Sequence, residues 1–268
     1  MSLYVQQGNH PIAQETRETI SMRYKAITKA VNREFWNSES ETAHSRYVGS
    51  YGRGTAINTS DLDVLIELPN DEYKHFQSLK GNSQSRLLQA VKNAVIAKYQ
   101  NTNISADGQV VVVKFSDEMK FEILPAFQQT NPFNGFSGYI YPDTNMGGNW
   151  LSTNPKAEQE AMANKNNESN GLLFDTCKHI RFVKSEYFSS YHLSGILIDS
   201  FVYWSIRNYH WLHDNEYGEN STGEYENALL NCYNNCKIAD AIPAPGSCMR
   251  VSMADWVILG KILNKMVW

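Results

Sequence analysis

Cysteine is scarce in this chain: Cys177, Cys232, Cys236 and Cys248 are the only four in 268 residues. Their irregular spacing, without a paired C-x-x-C, argues against a disulfide framework and for free thiols in a reducing compartment. Cys232 and Cys236, with Cys248 or His213, form the one grouping that could hold zinc, set against the commoner reading of buried thiols. Long hydrophobic runs are missing too, since nothing approaches the roughly 20 apolar residues that cross a bilayer. The opening stretch, MSLYVQQGNHPIAQ, lacks a basic region followed by an apolar secretion signal. A cytoplasmic location and no membrane partner are therefore expected. Nor is there a cationic excess, with 24 Lys and Arg against 28 Asp and Glu. Surfaces that coat nucleic acid carry positive charge to neutralise phosphates, so no stable nucleic-acid template is expected, although a local basic patch is compatible with this balance. Repeats and low-complexity tracts are absent.

What is present suits an ordinary folded protein: 42% of residues are hydrophobic, enough for a sizeable core in one large domain or two small lobes. Over residues 11–36, Ile20, Tyr24, Ile27, Val31 and Phe35 recur at steps of three and four, which predicts a long amphipathic helix. Residues 46–68 then read as a strand entering a Gly-rich turn, followed by a branched strand stopped by Pro69. A helix fits 84–99, and strands fit 110–115 and 120–124. Residues 128–150, rich in Gly, Asn, Pro and aromatics, predict a long irregular segment. Asn154 can cap a helix with Pro155 at its first position, and further helices fit 170–187, 191–209, 222–236 and 252–266. The division expected is a mixed α and β lobe over 1–130 and a helical lobe over 131–268, with a cleft between them.

The chemistry concentrates in two neighbouring features, Gly49-Ser50 and Asp61-Leu62-Asp63, the latter starting eleven residues after Ser50. Either alone is commonplace: Gly-Ser is usually a turn, and Asp-x-Asp a solvated strand end. Side chains alternate along a strand, so Asp61 and Asp63 share one face, where their mutual repulsion calls for a cation. Hard oxygen ligands suit Mg²⁺, with Mn²⁺ as the alternative, and such an ion also takes phosphate oxygens. Gly49 lets backbone approach a phosphate, and the Ser50 hydroxyl can donate to it. Arg53 can reach a phosphate or face solvent. A two-metal displacement needs a further carboxylate, and Glu122 in KFEILPAF is the candidate, against an edge-strand Glu facing water.

Three stretches together carry a family resemblance: GSYGRGT with Asp61-Leu62-Asp63, the strand FEILP from Phe121, and YPDTNMGGNWLSTNPK from Tyr141. They resemble the bacterial cGAS/DncV-like nucleotidyltransferases of anti-phage signalling, over about residues 10–210. The resemblance implies an α+β fold, with a polymerase-β-like nucleotidyltransferase palm, a long N-terminal spine helix and a C-terminal helical lobe closing the nucleotide pocket. It further implies that Gly49 and Ser50 hold a donor triphosphate and that Asp61, Asp63 and Glu122 hold metals. Glu122 stands where the family often has Asp. Implied partners are ribonucleoside triphosphates, regulatory or activating proteins, and an effector that acts through a cyclic product.

In the later helix Lys178, Arg181 and Lys184 recur every three residues, and either present cations to a triphosphate or form a solvated basic face. The family places a basic residue near Arg181. Asn154 completes the candidate nucleotide contacts with Gly49, Ser50, Arg53, Lys178 and Arg181. Tyr139, Tyr141 and Trp150 could stack on a base or serve as packing. The histidines form no partnered triad. Rival readings keep the same head as a nucleotidyltransferase modifying a separate acceptor (a small molecule, tRNA or protein) or as a linear oligonucleotide synthase, and a reading from a different class is an idle nucleotide sensor or binding module.

Overall fold

A computed structural model describes residues 3–57, 61–131, 135–213, 216, 223–236 and 240–267. The chain forms two compact units, one of Ala13–Gly52 and Asp61–Pro155, the other of Met1–Ile12, Arg53–Ser60 and Lys156–Trp268. The expected boundary at 130 therefore moves to 155, and two early segments join the helical unit. The reason lies in the segment read as irregular, whose described part is mostly strand.

The first unit opens with helix α1 (Gln14–Trp36), whose predicted stripe is buried at Ile20, Tyr24, Ile27 and Val31. Strand β1 (Ser45–Tyr47), the one-turn helix α2 (Gly49–Gly52) and strand β2 (Leu62–Glu67) follow. Helix α3 (Asn70–Ser78) was not foreseen: Pro69 does stop the strand, but it also occupies the position before a new helix with Asp71 and Glu72 in its first turn, where acids complement the helix dipole. Helix α4 (Ser83–Lys98) is capped by Asn82, whose Oδ1 accepts from the Ser85 amide at 2.9 Å.

Strands β3 (Asn103–Asp107), β4 (Val110–Lys114) and β5 (Lys120–Asn131) continue the sheet. Its main order is β1-β2-β5-β4-β3, with β2 and β5 parallel. The far half of β5 pairs with β6 (Gly135–Asp143), and β6 with β7 (Asn149–Thr153), where irregular chain was expected. Residues 132–134 of that stretch lie outside the described residues. Gly138 shows why glycine is used here: at φ 137° a Cβ would stand 2.7 Å from the Thr153 carbonyl, so bare backbone is what lets β7 close on β6. Helices α1 and α4 pack their apolar residues on one sheet face, against Leu62, Val64, Ile66, Val111, Val113, Phe121 and Ile123.

The second unit is mainly helical: α5 (Pro155–Glu168), α6 (Leu172–Tyr187), α7 (Gly195–Ser205), α8 (Glu224–Asn235) and α9 (Trp256–Val267). Position 222, where the fourth of these was expected to start, lies outside the described residues. Two short strands, β8 (Ala241–Pro243) and β9 (Arg250–Ser252), form a hairpin that periodicity did not reveal. Leu173, Ile180, Leu197, Val202, Leu229, Leu259 and Ile262 are fully buried in the core of this unit. No helix among the described residues is long and apolar enough to cross a membrane.

Residues 3–10 are strapped to this unit by polar contacts. The Val5 amide donates to Glu226 Oε1 at 2.7 Å and the Gly8 amide to Asp175 Oδ2 at 2.9 Å. His179 Nε2 donates to the Leu3 carbonyl at 2.7 Å, which leaves Nδ1 to accept from His10 Nε2 at 3.3 Å. Both imidazoles are held below their ordinary value of 6.5: His179 by burial first and the neighbouring His10 second, with the Leu3 contact opposing, and His10 by burial and then the charge of Lys178. Below pH 6.5 the unfolded chain therefore binds protons that the folded chain refuses, so stability falls as pH falls, by up to about 1.4 kcal/mol per pH unit through the buried His179, with the more exposed and solvent-screened His10 adding less. Urea melts between pH 7 and 5 check this, and His179→Gln is expected to flatten the slope.

Candidate active site

Two adjacent strands bring the acids together. Asp63 on β2 is registered directly against Glu122 on β5. Since side chains alternate, burying Leu62, Val64, Phe121 and Ile123 against the helices obliges Asp63 and Glu122 to project from the opposite face. Asp61 is exposed and lies one residue before β2. A single ammonium joins it to Glu122: Lys120 Nζ lies 2.7 Å from Asp61 Oδ2 and 2.8 Å from Glu122 Oε1. Burial pulls the Lys120 pKa down, but hydrogen bonds and charge from Asp61 and Glu122 outweigh it and hold the group above the ordinary lysine value.

The Gly-Ser turn meets the same strand. The Val48 amide donates to the Asp63 carbonyl at 2.8 Å, fixing the turn beside β2. Gly49 then takes φ 59°, and a Cβ there would stand 1.8 Å from Asp63 Oδ2. The Asp63 carboxylate thus rests on bare backbone, which explains the glycine more directly than phosphate approach alone. Ser50 follows, half-buried, in the same turn.

The donor set is all carboxylate, the chemistry that Mg²⁺ and Mn²⁺ prefer, and a cation already bridges two of its members. Among the described residues, no three His, Cys, Asp or Glu side chains stand close enough to hold one ion as placed. Asp61 and Glu122 are drawn onto the ammonium, while Asp63 leans against Gly49. The zinc grouping of Cys232, Cys236, Cys248 and His213 is likewise not assembled. Lys120 is the site residue that the sequence reading passed over. Its signal was available, because Lys120 and Glu122 are two apart on one strand and must share a face.

The arginines are placed differently from expectation. Arg53 and Arg181 were candidates for phosphate contact, but both guanidiniums are buried against Asp199, which has no exposed side-chain surface. Arg53 Nε lies 2.8 Å from Asp199 Oδ2, and Arg181 Nη1 and Nη2 reach the two Asp199 oxygens at 2.8 and 2.9 Å. Arg53 also contacts Glu158 at 3.3 Å, and Arg181 donates to the Cys177 and Gly195 carbonyls. Burial alone would raise the Asp199 pKa, but the two arginines overcome it and hold the carboxyl below its usual range. These cations bind the helical unit together through Asp199. Lys178 and Lys184 are half-exposed on the same helix, so the three-residue repeat does not make a uniform basic face.

The other candidates divide. Asn154 donates to the Ser137 carbonyl at 3.4 Å, tying the end of β7 to β6. Tyr139 is buried with Val48, Leu65 and Ala126, and Trp150 packs edge-on against Tyr73 and Phe127, so both serve as packing.

The α+β fold, with its parallel strand pair, Gly-Ser turn and long N-terminal helix, is shared with the cGAS/DncV-like nucleotidyltransferases. Residues 8–166 match the model of the Second Messenger Oligonucleotide or Dinucleotide Synthetase domain (SMODS), and the chain belongs to that family. It is 25% identical over 166 residues to a probable cyclic nucleotide synthase of Bacillus cereus, covering 58% of this chain and 50% of that protein. It is 22% identical over 143 residues to the cyclic AMP-AMP-AMP synthase of an Acinetobacter species, covering 53% and 40%. The chain thus spans half or less of the curated relatives it matches. The structure of Rhodothermus marinus CdnE c-UMP-AMP synthase with Apcpp and Upnpp superposes with a TM-score of 0.62 at 13% identity, covering 96% of both chains.

Proposed function

We propose that this protein is a template-independent nucleotidyltransferase that joins ribonucleoside triphosphates into a cyclic di- or trinucleotide messenger of anti-phage signalling, releasing pyrophosphate. One observation carries the reading: Asp63 and Glu122 face the same way in register, and Asp61 is tied to Glu122 by a shared cation. The named activities of the relatives in this family support the product class.

Asp61, Asp63 and Glu122 would hold Mg²⁺ or Mn²⁺, which supplies charge neutralisation at the phosphates and a lower pKa for the attacking ribose hydroxyl. The remaining work is positioning. Gly49 and Ser50 would seat the triphosphate beside Asp63, through close backbone approach and a hydroxyl donor. The reading is tested by incubating the protein with all four ribonucleoside triphosphates and Mg²⁺ or Mn²⁺, then identifying products by mass spectrometry. A cyclic di- or trinucleotide is expected. Label appearing only on an added acceptor molecule would instead favour the acceptor-modifying enzyme.

Gly49→Ala provides a second check. Its Cβ would displace the Asp63 carboxylate, and misplacing a reacting group by about 1 Å costs roughly a hundredfold in rate. The left-handed φ adds a stability loss of about 1–2 kcal/mol. Initial rates measured alongside thermal melts separate the two effects.

A further inference from the structure

We infer that Lys120 is a built-in counter-cation of the carboxylate site, competing with divalent metal for the same oxygens and so setting the metal concentration at which the site fills. The inference rests on the reading of Asp61, Asp63 and Glu122 as metal ligands. Its basis is geometric. Lys120 Nζ touches one oxygen of Asp61 and one of Glu122, at 2.7 and 2.8 Å, and so spans two of the three proposed ligands. The lysine stands at the first position of β5, two residues before Glu122, and strand alternation keeps both on the same sheet face. It is therefore attached to the site by the same backbone that carries a ligand.

Carboxylates crowded on one face repel unless a positive charge lies between them. A lysine ammonium meets this need by three donor hydrogens, whereas Mg²⁺ and Mn²⁺ require direct carboxylate oxygens. One carboxylate oxygen engaged at 2.7 Å by an ammonium offers a poorer ligand to an incoming ion, so each form opposes the other. The lysine is only 26% exposed, against 56% for Asp61, so the bridge sits in a partly desolvated position and its competition outweighs that of a solvated surface pair. The consequence is a site that keeps its acids gathered without metal and yields them when cation and triphosphate arrive together.

The test is isothermal titration calorimetry of Mn²⁺ into the full chain without nucleotide, at fixed ionic strength, comparing wild type, Lys120→Met and Lys120→Arg. Lys120→Met keeps the apolar stem and removes the charge, and is expected to bind Mn²⁺ roughly three- to tenfold more tightly. In EDTA the same variant is expected to melt below wild type, and Mn²⁺ should raise its melting temperature by more than it raises that of wild type. Lys120→Arg, which restores a cation, should return affinity toward wild type. Unchanged or weaker Mn²⁺ binding by a folded Lys120→Met protein would overturn the inference. Asp61→Asn with Asp63→Asn serves as the separate control: if that variant binds Mn²⁺ as wild type does, the metal-site reading itself fails, whatever Lys120 does.

Discussion

Replacing Asp61 and Asp63 together by Asn is expected to reduce product formation with Mg²⁺ by at least about a thousandfold, since charge stabilisation of the transferring phosphoryl group is the largest catalytic term available here. The fold should survive. Asp61 is more than half exposed, and its pair with Lys120 is worth at most about 1 kcal/mol. Lys120 keeps Glu122 as a partner, and Asn at 63 has the same shape against Gly49. A shift in melting temperature of only a few degrees is therefore expected. Product measured from labelled triphosphates, with circular dichroism on the same samples, separates lost chemistry from lost structure. Activity within tenfold of wild type would remove these acids from the reaction.

The largest stability effect is expected at Asp199. Its carboxylate is fully buried and receives Arg53, Arg181 and the Thr55 hydroxyl, the last at 3.1 Å. Asp199→Ala would leave the buried Arg181 without a carboxylate and Arg53 with Glu158 alone, and removing one partner of a buried ion network costs about 3–5 kcal/mol. Asp199→Asn retains hydrogen-bonding capacity and should lose less. The same carboxyl is held below its ordinary range in the folded state, so its contribution is present above the unfolded value near 3.8 and disappears as pH falls through the lower folded value. Urea titrations at neutral pH measure the first effect. A loss below about 1 kcal/mol for Asp199→Ala would mean that water or another acid relieves the arginines.

This network also shows where sequence reading stops. The stripe of α1 and the common face expected for Asp61 and Asp63 were legible because both follow from the period of a helix or strand, whereas the register that sets Glu122 against Asp63 was not. Arg53 and Arg181 were not, because their partner lies in an apolar helix, 146 residues from Arg53 along the chain. A cation in a glycine-rich turn looks like a phosphate ligand until the distant carboxylate is seen. The β6 and β7 strands were hidden by glycine and asparagine, which lower strand propensity, yet Gly138 is required for the pairing itself. Helix α3 was hidden by Pro69, which ends one element and precedes the next. Lys120 is legible from its spacing, two residues before Glu122 on one strand, but the Asp61 contact that makes it a bridge depends on the β2–β5 pairing.

Three carboxylates of one sheet face taking divalent ions beside a triphosphate are the central expectation for this protein. Crystals grown with Mn²⁺ and a non-hydrolysable ribonucleoside triphosphate analogue test it most directly, through anomalous scattering at the manganese edge. Anomalous peaks are expected beside the carboxylates of Asp61, Asp63 and Glu122, with Lys120 withdrawn from them. Nucleotide bound with manganese elsewhere, or with Lys120 still seated between Asp61 and Glu122, would contradict it.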